Sequence, residues 1–125
     1  MNEHKKSVVF IEDDEHLFKV YETKFSKEGI KTSFVVTGEG AISHIVAEKP
    51  DLIVLDIMIP KKDGFAVLEE VKANPELASI PVLVLSNLGQ PSDKKRALDL
   101  GANEYMVKIE HTMQEVLDRA KQYLN

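Results

Sequence analysis

Five short apolar runs recur along the chain, and each is followed by a stretch whose apolar residues recur with a helical period. The runs are rich in β-branched residues and cover residues 8–11, 33–36, 52–55, 82–85 and 105–107. Continuous apolar runs of this length are typical of strands buried on both faces of a sheet. The alternation therefore predicts an α/β fold of five β-α units, with a parallel sheet covered by helices on both sides.

Local signals mark the ends of the predicted helices. Gly29 closes the first helix, and Pro91 and Gly101 bracket the fourth. Thr37 and Thr112 are the predicted N-caps of the second and fifth helices. Apolar residues at helical spacing are predicted to face the core: Leu17, Val20, Tyr21, Phe25, Ile42, Ile45, Val46, Phe65, Leu68, Val71, Ala97, Leu98, Met113, Val116, Leu117, Ala120 and Leu124.

Composition excludes several classes of protein. The 125 residues suit one domain, and the absence of Cys excludes a disulfide scaffold and a thiol nucleophile. No stretch approaches the ~18 apolar residues of a membrane span, and the first residues do not resemble a signal peptide. The net charge of −5 argues against direct nucleic-acid binding. We therefore expect a cytoplasmic protein with no membrane contact.

Polar residues follow four of the five predicted strands. In an open parallel sheet, ligands bind beside the carboxyl ends of the strands, so these positions are the ones that carry chemistry. They hold four consecutive acids after the first strand and single residues after the third, fourth and fifth: Glu12, Asp13, Asp14 and Glu15, then Asp56, Ser86 and Lys108. Asp51 lies at the opposite end of the third strand, and Asp63 belongs to a predicted turn before Gly64.

This set of residue types predicts a divalent metal site that also accepts a phosphoryl group. Asp14 and Glu15 are expected to cap or begin the first helix, which leaves Glu12, Asp13 and Asp56 as candidate metal ligands. Carboxylate oxygens suit Mg²⁺, a hard cation that usually shares its shell with phosphate. A hydroxyl and an ammonium suit the remaining phosphoryl oxygens, and a carboxylate can itself become phosphorylated.

The chain resembles a response-regulator receiver domain of two-component signalling over residues 6–124. The resemblance rests on residues 55–64, Leu-Asp-Ile-Met-Ile-Pro-Lys-Lys-Asp-Gly, together with the Glu12-Asp13 pair. It implies a flavodoxin-like, doubly wound fold with strand order 2-1-3-4-5. It also implies a single receiver domain over residues 1–125 without an output domain, either as a stand-alone protein or as a fragment of a longer chain.

The resemblance further implies roles for individual residues. Asp56 would accept the phosphoryl group, and Lys108 and Ser86 would contact its oxygens. Ser86 and Tyr105 would form the switch that changes the face of the fourth helix, fifth strand and fifth helix. Mg²⁺ would be held by four residues, one of them through its backbone carbonyl: Glu12 (through water), Asp13, Asp56 and Met58 (carbonyl).

The protein would then be a phosphoacceptor rather than an enzyme, and would act as a monomer or as a phosphorylation-dependent dimer. Its partners would be a histidine kinase or phosphotransfer protein and a downstream protein.

Three residues depart from the family pattern. Ile109 stands where Pro usually follows the lysine on a cis peptide bond, and because a cis non-Pro bond costs about 2.5–4 kcal/mol we predict that Lys108–Ile109 is trans. Asn87 replaces a small residue and is expected to crowd or hydrogen-bond the site. Lys62 replaces a more apolar residue.

Three other functions are open to a chain of this pattern. A flavin or nucleotide binder would need a Gly-rich phosphate loop after the first strand, where this chain has four acids. A phosphatase with an aspartate nucleophile would need a second Asp two residues after Asp56, where this chain has Met58. The main alternative is a receiver fold that serves as an unphosphorylated interaction module.

Overall fold

The computed structural model describes residues 5–124. Five strands alternate with five α-helices, as the alternating pattern predicts. In chain order the elements are β1 (Ser7–Ile11), α1 (Glu15–Ser26), β2 (Lys31–Val35), α2 (Ala41–Glu48), β3 (Leu52–Leu55), α3 (Gly64–Ala73), β4 (Val82–Ser86), α4 (Pro91–Asp99), β5 (Glu104–Val107) and α5 (Met113–Leu124). A short 3-10 helix, Lys108–Glu110, joins β5 to α5.

The strands form one parallel sheet in the order β2-β1-β3-β4-β5, which confirms the predicted doubly wound topology. Ile11 at the end of β1 pairs with Leu55 at the end of β3. Ser86 at the end of β4 pairs with Val107 at the end of β5. The residues that follow these pairs are therefore brought to one edge of the sheet by backbone register alone.

Two hydrophobic layers flank the sheet because side chains alternate between the faces of each strand. Val9 and Ile53 pack with α2, α3 and α4 on one side, whereas Phe10 and Val54 pack with α1 and α5 on the other. Phe10 is 1% exposed and stacks on Tyr21 at a ring-centroid distance of 4.6 Å. Full burial of such side chains contributes about 1.5–3 kcal/mol each, so the two layers position the site rigidly.

Several local predictions differ from the structure. Val20, Val46 and Leu98 were expected in the core, but they are 44%, 38% and 48% exposed. A period of 3.6 residues defines one face of a helix, but the width of that face depends on how closely the helix approaches the sheet. β2 starts two residues earlier than predicted and ends one residue earlier. Thr37 is not the N-cap of α2: the helix starts at Ala41, and the Thr37 hydroxyl accepts a hydrogen bond from the Gly40 N–H.

Other helix starts follow the sequence signals. Asp14 caps α1 by accepting from the His16 N–H at 3.0 Å, and Glu15 lies in its first turn. Thr112 and Glu115 accept hydrogen bonds from each other's backbone N–H groups, which confirms the predicted cap of α5. Asp63 caps α3 rather than forming an isolated turn.

Gly64 fixes the loop between Asp56 and α3. A Cβ atom at this position would lie 2.5 Å from the Ile57 Cα and 2.8 Å from the Asp56 carbonyl oxygen. Both of these are backbone atoms and cannot rotate away, so only glycine allows the start of α3 to pack this closely against the end of β3. The close approach keeps the Asp56 loop tightly folded.

Candidate functional site

Buried polar side chains are concentrated at the carboxyl edge of the sheet. Across residues 5–124, the buried polar or charged residues are Glu12, Asp56 and Ser86, at 4%, 6% and 0% exposure. Glu12 follows β1, Asp56 follows β3, and Ser86 is the last residue of β4. Burial of charged groups is costly unless they are paired or hold a cation, so their concentration at one edge marks a functional site.

Lys108 bridges the two buried acids. Its Nζ lies 2.5 Å from Glu12 Oε1 and 2.7 Å from Asp56 Oδ2. β5 lies two strands away from β3, a separation of about 9–10 Å, so a long side chain is needed to span the end of β4. Lys108 therefore acts as the internal counter-ion of both carboxylates.

Burial and pairing shift the pKa values of these groups. Burial raises the pKa of Glu12 above its usual value, against the opposing effect of Lys108. Burial by itself would lower the pKa of Lys108, but its hydrogen bonds to Asp56 and Glu12 outweigh burial and raise it. Lys108 is consequently charged at neutral pH, and the ionised form of Glu12 carries a cost of burial that a second cation would relieve.

Asp13 completes a group of three carboxylates. One carboxylate oxygen from each of Glu12, Asp13 and Asp56 lies within 4.8 Å of the others, and Asp13 is exposed to solvent while the other two are buried. Carboxylate oxygens open to water on one side are a donor set that fits Mg²⁺, which keeps several waters when it binds. The three acids therefore fit the metal that the resemblance implies.

The backbone of Met58 is tied to Asp56. The Met58 N–H donates to Asp56 Oδ1 at 2.9 Å, while the Met58 side chain is 57% exposed at the mouth of the site. One oxygen of Asp56 thus accepts from a backbone amide and the other from Lys108. These two hydrogen bonds orient the carboxylate at the edge of the sheet.

Ser86 and Tyr105 are connected through the backbone of Leu88. The Ser86 hydroxyl accepts from the Leu88 N–H at 3.3 Å, and the Tyr105 hydroxyl donates to the Leu88 carbonyl oxygen. Partial burial, followed by the charges of Asp93 and Asp56, raises the pKa of Tyr105. The loop after β4 therefore links the buried hydroxyl at the site to an aromatic ring on β5. Sequence reasoning paired Ser86 with Tyr105 but missed Leu88, because its part is played by backbone atoms.

Asn87 and Ile109 form a second link between the loops. Asn87 Oδ1 accepts from the Ile109 N–H at 3.1 Å, so Asn87 hydrogen-bonds the loop after β5. No peptide bond between residues 5 and 124 is cis, which confirms the trans Lys108–Ile109 bond. A proline at position 109 could not donate this hydrogen bond, so the two departures from the family pattern belong together physically. Lys62, the third departure, forms an ion pair with Glu70 on α3.

We expect Asn87→Ala to lower the free energy of unfolding by about 0.5–1.5 kcal/mol, since one hydrogen bond is lost. The bond can be isolated in a double-mutant cycle with Ile109→Pro, which removes the donor instead of the acceptor. The two changes should be less than additive when unfolding is followed in urea. Full additivity would show that the Asn87–Ile109 hydrogen bond does not link the loops.

Tyr21 is a site neighbour that sequence reasoning missed. It was predicted only as a core residue, and it is 3% exposed, but it also lines a groove of about 170 Å³ with Lys108 and Ile109. Burial raises its pKa to about 12, so the phenol is neutral at physiological pH. Its helical spacing identified the buried face of α1, but the spacing carried no information about which residues after β5 would lie next to that face.

The fold and the site together define a doubly wound α/β domain whose sheet edge holds an acidic pocket closed by a lysine. The sequence profile described as "Response regulator receiver domain" matches residues 8–121. The chain belongs to the response regulator receiver domain family. Among residues 5–124, no helix is both long enough and apolar enough to cross a membrane.

Comparisons with similar proteins support the assignment to this family. A protein described as "Probable transcriptional regulator ycf27" from Guillardia theta is 38% identical over 109 residues, which cover 85% of this chain but 41% of the relative. The chain thus spans less than half the length of that relative. The BeF3-activated N-terminal receiver domain of Klebsiella pneumoniae RstA has a TM-score of 0.87 at 28% identity, with 96% of this chain and 99% of that chain covered. The Mn(2+)-bound form of the response regulator Rcp1 has a TM-score of 0.85 at 26% identity, with 96% of this chain and 95% of that chain covered.

Proposed function

We propose that this receiver domain accepts a phosphoryl group on Asp56 from the phosphohistidine of a histidine kinase or phosphotransfer protein. The observation that carries the proposal is the placement of its buried polar groups. Within residues 5–124, all of them lie at one sheet edge, where Lys108 contacts both acids. A structural role alone does not require three polar side chains to be buried at the same edge.

In the proposed reaction an oxygen of Asp56 forms a bond to phosphorus while the phosphorus–nitrogen bond of the donor histidine breaks. The imidazole leaves and takes up a proton from water. Lys108 already lies 2.7 Å from Asp56 Oδ2, so its ammonium is placed to pair with the arriving phosphoryl oxygens. The buried Ser86 hydroxyl at the end of β4 supplies a hydrogen-bond donor on the neighbouring strand.

Mg²⁺ belongs to this proposal as the cofactor. Glu12 (through water), Asp13, Asp56 and the Met58 carbonyl would hold it. When bound, it would neutralise the charge that collects between the carboxylates and the phosphoryl group. Support comes from the three grouped carboxylates and from the Mn(2+)-bound neighbour. The domain would be a phosphoacceptor that at most assists its own phosphorylation and dephosphorylation, rather than an enzyme.

The proposed output is a change of the α4-β5-α5 face. Movement of Ser86 toward the phosphoryl group would release its bond to the Leu88 N–H, and Leu88 in turn holds Tyr105. The phosphoryl group would thereby bias an equilibrium between two arrangements of the loop after β4 and of α4. The altered face would bind a downstream protein partner or a second phosphorylated copy, without direct contact to nucleic acid or membrane. Because a phosphohistidine made from ATP is a cytoplasmic species, the proposal places the protein in the cytoplasm.

The proposal is tested by incubating the protein with acetyl phosphate and measuring its intact mass. We expect a gain of one phosphoryl group in Mg²⁺ and none after chelation of the metal. The same measurement is repeated with a range of histidine kinases as donors. If no donor phosphorylates the protein in Mg²⁺, the alternative of an unphosphorylated interaction module is the correct one.

A further inference from the structure

A group of lysines lies away from the acidic pocket, toward the amino ends of β1 and β2. Lys5 precedes β1, Lys31 begins β2, and three more lie on or just after α1: Lys19, Lys24 and Lys27. Four of them line one groove of about 500 Å³, and Lys24 lines an adjoining groove of about 400 Å³ that shares Lys19 and Lys27. We call these five residues and the two adjoining grooves the lysine groove.

The lysines of this groove have no partner acids among residues 5–124. No carboxylate oxygen among residues 5–124 lies within 4.0 Å of the ammonium nitrogen of any of these five lysines, which is the limit for a salt bridge. Five basic residues elsewhere do form ion pairs with acids: Lys62, Lys95, Lys108, Arg119 and Lys121. The chain has 21 acids against 16 basic residues, so acids are abundant enough to neutralise the groove. Among residues 5–124 only one of these acids, Glu22, lines the grooves, so the five positive charges there are not neutralised, which is unfavourable unless an anion binds.

The groove also offers uncharged hydrogen-bond donors and some apolar surface. The hydroxyls of Thr23 and Thr32 line it, together with Ser26, whose hydroxyl donates to the Thr23 carbonyl oxygen, and Ile30 adds apolar surface. Lys19, Glu22, Thr23, Ser26 and Lys27 are spaced as one face of α1, and Glu22 is the single acid in the lining. The surface therefore lies between α1 and the start of β2, which is the edge strand of the sheet.

These features favour an extended, carboxylate-rich chain as the occupant. Ammonium and hydroxyl groups spaced along a helix can each reach a separate carboxylate. The lining has no aromatic residue on which a nucleic-acid base could stack and no arginine for bidentate phosphate contacts. Among residues 5–124, Val20 is the one exposed large apolar residue of the lining, so the surface lacks the broad apolar face that inserts into a bilayer.

We propose that the lysine groove binds an extended segment of a partner protein rich in Asp and Glu, at a place separate from the acidic pocket. Attraction between the five ammonium groups and the carboxylates would guide association and select the partner. Because four of the five lysines are exposed and Lys24 is half-buried, binding would weaken steeply as salt screens the charges. The site does not depend on phosphorylation of Asp56.

The test uses a short fluorescein-labelled poly-glutamate peptide and measures binding by fluorescence anisotropy at low salt. We expect Lys19→Gln/Lys27→Gln/Lys31→Gln to weaken binding about ten-fold, which corresponds to about 1.4 kcal/mol. The matched control is Lys49→Gln/Lys94→Gln/Lys95→Gln, which removes the same number of positive charges outside the groove and should change binding by less than about two-fold. Amide chemical shifts should change along α1 and at the start of β2, with the acidic pocket unaffected.

Three outcomes would overturn the proposal. Equal weakening in both triple variants would show that only net charge attracts the peptide. Shift changes centred on Asp13 or Lys108 would place binding at the acidic pocket. Tighter binding of duplex DNA or anionic vesicles than of the peptide, through the same lysines, would assign the groove to a different class of partner. Thermal unfolding checks that each triple variant is folded, and the single change Lys27→Glu provides a second test if one is not.

Discussion

Asp56→Asn protein incubated with Mg²⁺ and acetyl phosphate is expected to gain no phosphoryl group, whereas the wild-type chain gains one. An amide oxygen is a far weaker nucleophile than a carboxylate, so the acceptor is lost completely rather than slowed. The shape of the side chain is retained, but the single oxygen of Asn can accept only one of the two hydrogen bonds that Met58 and Lys108 donate to the carboxylate. Intact-mass measurement separates the two species directly.

The matched control for this variant is Asp63→Asn, which makes the same chemical change seven residues later. Asp63 caps α3 through its side chain, and Asn is an equally good N-cap, so this variant should fold normally and be phosphorylated like wild type. If Asp56→Asn gains the phosphoryl group as fully as the control, Asp56 is not the acceptor.

Lys108→Met is expected to lower the free energy of unfolding of the metal-free protein by about 2–3 kcal/mol. The side chains of Glu12 and Asp56 are 5% and 8% exposed, and in this variant both lose the half-buried cation that pairs with them. Removal of one partner from a buried pair typically costs about 3–5 kcal/mol, and access of water to the rim of the pocket reduces that figure here. Urea unfolding in the presence of a chelator measures the loss.

Two further measurements separate this effect from a general packing defect. Saturating Mg²⁺ should recover much of the lost stability, because a bound ion stabilises the folded state by mass action and replaces the missing positive charge. Lys95→Met is the control, since the exposed Lys95–Asp99 pair contributes about 0–1 kcal/mol. A metal-free Lys108→Met protein as stable as this control would contradict the role of Lys108 as internal counter-ion.

The pH dependence of the same variant follows from the pKa shifts. The folded-state pKa of Lys108 is raised, so its contribution to wild-type stability is present at neutral pH and is lost only as alkaline pH rises through the folded-state pKa. Burial raises the pKa of Glu12, so its ionised form is unfavourable, and removal of Lys108 raises that pKa further. The stability gap between Lys108→Met and wild type should therefore narrow as the pH is lowered and Glu12 takes up a proton.

The fold could be predicted almost completely from local patterns. Apolar runs alternating with helical stretches are sufficient for the element order, because a buried parallel strand and an amphipathic helix have different periods. The errors were at element boundaries and at the margins of helix faces. Thr37 was predicted as a cap but supports the turn at Gly40 instead, because capping depends on where the chain enters the helix.

The candidate site could be predicted as a set of residues but not as a set of contacts. Parallel strands bring their carboxyl ends to one edge, so acids, hydroxyl and lysine after successive strands had to become neighbours. Which atoms pair depends on side-chain reach across the sheet. Lys108 lies against both Glu12 and Asp56, although 52 positions separate it from Asp56 along the chain.

Residue type and periodicity therefore account for the sheet, its helical layers and the chemistry available at its edge, since these depend on interactions between near neighbours in the chain. Packing in three dimensions decided the rest. It buried Glu12 and Asp56 beside one shared lysine, joined Asn87 to the N–H of Ile109, and, within residues 5–124, left the lysines around α1 and β2 without ion pairs. Each of these outcomes depends on distances between elements that are far apart in sequence, and no local pattern encodes such distances.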